Sequence, residues 1–241
     1  MERDFTRFSK FLDSLENEVY EECASDVHKI LSIRNINAIK SMGACPKDSK
    51  VLDVGYGMGY ASEHFQSIGC DVTAITLHNQ EIEKAELCGT KIIKCDQSFT
   101  DFEDESFNLV WARHVLEHSA VPLFTIMEFC RIIKHDGFIY IEVPEPDTVY
   151  HHEDNPNHYS VFTKLIWESL FKKAQLMVYA CERMPLEAEK NGKDYFMWFL
   201  CKKSAGLFPI LVEYLDTKEQ ALLNSLDSAR PFKVLKTHVK K

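Results

Sequence analysis

The sequence predicts an α/β fold, a doubly wound and mostly parallel seven-stranded sheet with helices on both faces and an antiparallel C-terminal hairpin. Three observations carry this expectation. From Val51 onward, short runs rich in β-branched and aromatic residues alternate with helical patterns. Most of those runs are nearly apolar on both faces, as strands of a sheet covered on two sides must be. Two of the helical patterns stop at a glycine, which accepts the left-handed conformation past a last turn.

Taken in order, Asp26 to Met42 reads as an amphipathic helix through Val27, Ile30, Leu31 and Ile39. KVLDV is the first strand; Tyr60 to Ile68 is a helix ending at Gly69, and DVTAITL is the second strand. Asn79 to Cys88 is a helix ending at Gly89, followed by the strands KIIKC and FNLVWA. Pro122 to Lys134 places Leu123, Ile126, Met127, Cys130 and Ile133 on one helical face and stops at Asp136-Gly137, before the strand FIYIEV. PEPDTVYHHEDNPNHYSVF, Pro144 to Phe162, is polar and proline-dotted, hence a loop. A helix over Thr163 to Lys173 turns Leu165, Ile166, Ser169 and Leu170 inward. LMVYACERM and DYFMWFLCKK then form the hairpin on the sheet edge, with Asn191-Gly192 suited to a tight turn between them. Residues 1–241 are expected as a single domain: a helical cap over 1–44, the α/β core over 45–203, and an extension over 204–241. The run GLFPILVEYL and a polar helix near Lys218 to Ala229 have no assigned place in that extension.

Composition narrows the function classes. With 45% hydrophobic and 27% charged residues among 241, the chain can bury a sizeable core. It shows no repeat, no signal-like apolar segment at the start and no bilayer-length apolar run. Its eight cysteines lack CxxC pairing, and Cys70, Cys95, Cys130 and Cys201 sit inside apolar patterns, as reduced core residues do. A cytoplasmic location is the expectation. A formal net charge of −9 with dispersed basic residues disfavours nucleic acid, whose phosphates need a basic face. The C-terminal lysines 233, 236, 240 and 241 read as a solvated tail.

The chemistry concentrates at VLDVGYGMGYAS, Val51 to Ser62. A strand, three alternating glycines and a helix N-terminus let a ligand approach bare main chain and helix-terminal N–H donors. The dinucleotide pattern G-x-G-x-x-G fails, because Tyr60 stands at the third glycine and Thr76 ends the second strand where an acid is required. The P-loop pattern is absent.

The arrangement resembles the class I (Rossmann-like) S-adenosylmethionine-dependent methyltransferases, whose first motif is an acid, a spacer and G-x-G-x-G; here Asp53, Val54, Gly55, Tyr56, Gly57, Met58 and Gly59. The likeness runs over about Val51 to Lys203, through CDQSFTDFEDESFNLVWARHVLEHS, RIIKHDGFIYIEVP and NHYSVFT. It implies S-adenosylmethionine as cofactor. By that resemblance Asp53 lies near the ammonium, and Gly55, Tyr56, Gly57 and Gly59 form the turn against the methionine portion. Asp96 accepts from the adenine amino group, Gln97 presents its backbone N–H to the ring, and Arg113 and His114 line the methionine end, largely through carbonyls. The bland reading of Asp96 is a cap or solvated turn. Two positions depart from the pattern. Thr76 replaces the ribose acid, so that Asn79, Gln80 or Glu81 becomes the stronger acceptor, and Thr76-Leu77 matches the cyclopropane-synthase branch. Asn108 replaces a common aspartate at a turn-stabilising site.

Methyl transfer needs position, a dry site and sometimes a base. HVLEH sets His114 and His118 four residues apart, on one face if helical, and the loop adds His151, His152, Glu153, Asp154 and His158. His118 and His158 are the preferred bases. His118 with the imidazoles and acids of 151–158 also forms a conceivable divalent-ion set, but no spacing has the specificity of HExxH and no metal is assigned. WARHVLEH stands where nucleobase amino-methylases carry [Asn/Asp/Ser]-Pro-Pro-aromatic, so the expected acceptor is an oxygen or nitrogen of a metabolite, sugar or lipid-like molecule. The loop Glu145 to Phe162 and the N-terminal helices are the expected lid. The competing readings are a non-catalytic S-adenosylmethionine-binding scaffold and a cyclopropane-synthase-like carbon methylase. Any homodimer is expected through the N- or C-terminal extensions.

Overall fold

A computed structural model describes residues 5–16, 26–188 and 192–203. Its sheet contains seven strands: β1 (Lys50–Val54), β2 (Asp71–Thr76), β3 (Lys91–Lys94), β4 (Phe107–Arg113), β5 (Ile133–Pro144), β6 (Leu176–Ala188) and β7 (Gly192–Lys203). Their order is β3-β2-β1-β4-β5-β7-β6. The first five run parallel, and β7 pairs antiparallel with both β5 and β6, as the hairpin expectation required. The helices are α1 (Thr6–Glu16), α2 (Asp26–Ser41), α3 (Tyr60–Ser67), α4 (Asn79–Leu87), α5 (Pro122–Ile132) and α6 (Lys164–Lys173). Asn191 of the expected turn, the run GLFPILVEYL and the polar helix near 218–229 lie outside the described residues.

Strand pleating sorts the core into two layers. Leu52, Val54, Val110, Ala112, Ile139 and Ile141 pack with α5 and α6 on one face. Val51, Leu109, Trp111 and Tyr140 pack with Ile36 and Ile39 of α2 and Phe65 of α3 on the other. β1 lies between β2 and β4, so chain direction across the sheet reverses there. Such a reversal opens a crevice beyond the carboxyl ends of the strands, where open α/β sheets take their ligands.

Several helix expectations need correction. α5 ends at Ile132, not at Asp136-Gly137, because Ile133 already pairs with Phe107 and begins β5. Gly137 is required for close packing and not for a left-handed turn: a Cβ there would lie 2.6 Å from Ile133 Cγ1 and 2.9 Å from the Asn108 carbonyl. Met127 on α5 is exposed, whereas Ile126 is buried. In α6 the inward pair is Trp167 and Phe171, and Leu165 and Ile166 face solvent, since two aromatic rings one turn apart remove more apolar surface from water. In α2 the apolar residues that reach the sheet lie in the C-terminal half; Val27 and Ile30 are exposed while Asn35, Ile36 and Ile39 are buried. Asn108 does stabilise a junction, its Oδ1 accepting from Lys50 N and Lys134 Nζ, each at 3.0 Å.

Candidate active site at the carboxyl ends of β1 and β4

The turn after β1 needs its glycines for reasons internal to the protein. Gly55, Gly57 and Gly59 have φ of 77°, 51° and 80°, a region that side chains adopt at a cost. A Cβ on Gly55 would collide with Val115 Cγ1, and one on Gly59 with the Tyr56 hydroxyl. Tyr56 is buried beside Ala74, Ala85 and Ile92, and burial pushes its phenol up to about 12. At the end of β1, buried Asp53 accepts at Oδ2 from Ser62 Oγ at 2.6 Å, a bond from the first turn of α3.

Across the turn, Glu81 on α4 closes the gap left by the missing acid after β2. Its Oε2 accepts from Thr76 Oγ1 at 2.6 Å and from the Gly57 amide at 3.0 Å. Of the three acceptors the sequence offered, Glu81 is therefore the one bound to the turn; Asn79 and Gln80 are exposed, and Leu77 is half-buried. After β3, Asp96 Oδ1 accepts from Ser98 N at 2.6 Å, so one carboxylate oxygen serves as a local turn cap. Gln97 donates through Nε2 to the Val115 carbonyl at 2.7 Å, and its Oε1 is buried without a hydrogen-bond partner.

At the end of β4 the side chains of Arg113 and His114 turn inward. Arg113 Nε and His114 Nε2 lie 2.9 and 3.1 Å from Glu142 Oε1 on β5, within ion-pairing distance but at angles that form no hydrogen bond. Glu142 is fully buried and also accepts at Oε2 from Asn35 Nδ2 at 2.9 Å and from Tyr140 Oη at 2.5 Å. Burial opposes its charge, yet the Arg113 guanidinium, then His114 and Tyr140, bring its carboxyl down to about 2. For His114, burial and Arg113 oppose protonation, but the neighbouring carboxylates of Glu117 and Glu142 outweigh them and hold the imidazole up to about 9. His114 has φ of 52°, a strained backbone for a residue other than glycine. Its ring lies edge-on to Phe196 at 4.3 Å.

The expected helical pairing of His114 with His118 does not form. Only Leu116–His118 makes a short 3-10 turn, and the two imidazoles go to different partners. His118 meets His158 instead, with ring centroids 4.8 Å apart. The loop that brings His158 there is fastened by Tyr159 N and Ser160 N, both donating to the Glu117 carbonyl at 2.8 and 3.0 Å. Burial lowers the affinity of His158 for a proton. His152 pairs with Asp194 at 3.0 Å, His151 with Glu153 at 3.6 Å, and Glu145 with Arg183 at 2.7 Å. Glu142, Glu117, Asn35 and Tyr140 were not singled out by sequence reasoning. The readable signal was Glu142 itself, a carboxylate inside the otherwise apolar run FIYIEV.

The geometry suits S-adenosylmethionine. Three residues expected at that cofactor carry a buried polar atom without a hydrogen-bond partner, Tyr56 at Oη, Gln97 at Oε1 and Arg113 at Nη2, and buried polar groups are ordinarily paired. Comparison with known proteins agrees. A family described as "Methyltransferase domain" matches residues 17–180. The chain belongs to that family. S-adenosylmethionine is the cofactor of this methyltransferase family. The methyltransferase domain is 30% identical over 106 residues to the glycine/sarcosine/dimethylglycine N-methyltransferase of Actinopolyspora halophila, covering 40% of this chain and 19% of that protein. It is 29% identical over 147 residues to the ubiquinone biosynthesis O-methyltransferase of Vibrio campbellii, covering 54% and 62%. The chain thus spans less than two thirds of the length of either relative. A solved structure, a putative sarcosine dimethylglycine methyltransferase from Galdieria sulphuraria, superposes with a TM-score of 0.62 at 16% identity, covering 72% of this chain and 84% of that one. Among the described residues no helix is long and apolar enough to cross a membrane.

Proposed function

We propose that the protein transfers a methyl group from S-adenosylmethionine to an oxygen or nitrogen of a small-molecule acceptor. The observation that carries this reading is the set of buried polar atoms without a hydrogen-bond partner at the ends of β1, β3 and β4, Tyr56 Oη, Gln97 Oε1 and Arg113 Nη2, together with the His118–His158 pair. The relatives support it, one named for N-methylation and one for O-methylation.

When bound, the cofactor supplies a methyl carbon activated by a sulfonium. Asp53 and the turn through Gly55, Tyr56, Gly57 and Gly59 hold its methionine portion. Glu81, seated against Thr76 and Gly57, accepts from the ribose hydroxyls, with Leu77 and Gln80 flanking it. Asp96 and Gln97 receive the adenine, whose exocyclic amine is a donor for the unpartnered Gln97 Oε1. Arg113 and His114 line the methionine end, and their salt links to Glu142 keep that wall rigid. On the acceptor side His118 and His158 are the bases. Each has Nδ1 against a backbone carbonyl at 2.9 Å, which fixes the proton there and makes Nε2 the basic nitrogen of the ring. The loop from Glu145 to Phe162 excludes water from this side.

Calorimetry with S-adenosylmethionine and its demethylated product tests the cofactor; expected is saturable binding, tighter for the product. Incubation with methyl-labelled cofactor and a panel of phenols, hydroxy acids and amines then tests transfer. Binding without any transfer to metabolite extracts would favour the scaffold reading. The Thr76-Leu77 pair motivates the carbon-methylase reading, and label recovered in a lipid ring would establish it.

A further inference from the structure

We infer that Glu117, His118 and His158 form a binding site for a single divalent transition-metal ion. One ligand atom from each residue, a carboxylate oxygen and two ring nitrogens, lies within 4.8 Å of the others. That spread is what three donors around one ion span after a modest side-chain adjustment.

Two further features point the same way. The Nδ1 of His118 faces the Asn157 carbonyl and that of His158 the His152 carbonyl, each at 2.9 Å. A carbonyl oxygen only accepts, so both rings carry their proton on Nδ1 and present a lone pair at Nε2. Histidines that ligate metals are habitually held this way, because the outer bond sets both tautomer and ring plane. The second feature is Glu117, only 1% exposed, whose Oε2 is buried with no hydrogen-bond partner. A buried carboxylate oxygen left bare carries a desolvation cost that a cation at bonding distance removes.

The supports are rigid. Tyr159 N and Ser160 N both donate to the Glu117 carbonyl, and Ser160 Oγ donates to the Ser119 carbonyl at 2.7 Å. The loop bearing His158 is thereby fastened to the turn bearing the other two donors. Asn155 Nδ2 lies 3.3 Å from His158 Nε2, a long contact that an ion would displace. Two imidazoles and one carboxylate suit zinc, iron(II), cobalt or manganese and not magnesium or calcium, which prefer oxygen alone. Three protein donors leave a coordination position for an oxygen ligand. That an acceptor hydroxyl takes this position rests on the methyl-transfer reading, and with the ion bound His118 and His158 act as its ligands and the base role assigned to them belongs to the ion-free protein; the ion itself does not rest on that reading.

The full-length protein, stripped with a chelator, is titrated with Zn²⁺ in a calorimeter and with Co²⁺ under visible absorption. Expected is one ion per chain, with cobalt bands of nitrogen and oxygen coordination and without the intense near-ultraviolet transition of thiolate ligation. His118→Ala and His158→Gln should each weaken Zn²⁺ binding by about tenfold or more, while thermal melting reports that the variants fold. Anomalous scattering at the zinc edge from a soaked crystal needs no variant, and a peak among the three side chains supports the site. Absence of saturable binding, a thiolate spectrum, a zinc peak elsewhere, or unchanged affinity in the double variant would overturn it. If S-adenosylhomocysteine fails to bind while Zn²⁺ binds with this histidine dependence, the methyl-transfer reading falls and the metal site stands.

Discussion

Asn35 on α2 reaches Glu142 on β5, its Nδ2 donating to Oε2 at 2.9 Å and also to the Tyr140 hydroxyl at 2.9 Å. Helix α2 is thus joined to the sheet by a hydrogen bond to a buried charge, and not by apolar contact alone. Replacing Asn35 with Ala removes a neutral donor from a carboxylate that has no access to water. Folding stability should fall by about 1–3 kcal/mol, measured by urea denaturation. A loss below the error of that measurement would mean the helix contributes nothing to holding Glu142.

The same cluster sets a pH window. Glu142, held down at about 2 against an ordinary 4.5, stabilises the fold fully above 4.5, and the gain is lost as pH falls through 2. His114, held up at about 9 against an ordinary 6.5, stabilises fully below 6.5, and the gain is lost as pH rises through 9. Their joint contribution is therefore greatest between about 4.5 and 6.5. Comparing wild type with Glu142→Gln by thermal melting from pH 4 to about 9.5 should show the largest difference in that interval, narrowing at alkaline pH. A difference that is flat with pH would contradict the assignment.

Gly55 and Gly89 share a left-handed backbone, at φ of 77° and 72°, but only Gly55 has a side chain, that of Val115, where its Cβ would go. Gly89→Ala should cost only the backbone term, about 1–2 kcal/mol. Gly55→Ala should cost more, because Val115 or the turn must also shift, and it should weaken S-adenosylhomocysteine binding where Gly89→Ala does not. Equal losses would show that the turn yields freely.

Glu81→Gln tests the replacement for the missing acid. Glutamine keeps one acceptor but loses the charge that receives both Thr76 and Gly57. Affinity for S-adenosylhomocysteine should drop by about tenfold or more, the range for a hydrogen bond to a charged group, with little change in melting temperature.

His118→Ala should lower kcat by about 10²–10⁴ while the S-adenosylhomocysteine Kd stays within about twofold. Loss of both in equal measure would make His118 a structural support for the cofactor pocket.

The strands were legible because their signal is local. Doubly covered strands such as KVLDV and FNLVWA are mostly apolar on both faces, and the glycines at 69 and 89 do end their helices in the left-handed region. Helix faces were read less well where the sheet covers only part of a helix: Val27 and Ile30 follow the periodicity and still point to water, while His28 of the same turn is the residue that meets His114 and Phe196. The glycine turn announced itself through spacing. The Glu142 cluster did not, because Asn35, Arg113, His114 and Glu142 meet only through register between α2, β4 and β5. Likewise His118 and His158, forty positions apart in number, become neighbours through backbone bonds from Tyr159 and Ser160 that leave no trace in residue type.

Those two amides converge on a single acceptor, the Glu117 carbonyl. Peeling the segment away would break both bonds together and carry one imidazole out of reach of the other. Access and completeness are therefore opposed at this corner of the molecule: an opening made by moving that segment would also part the two imidazoles.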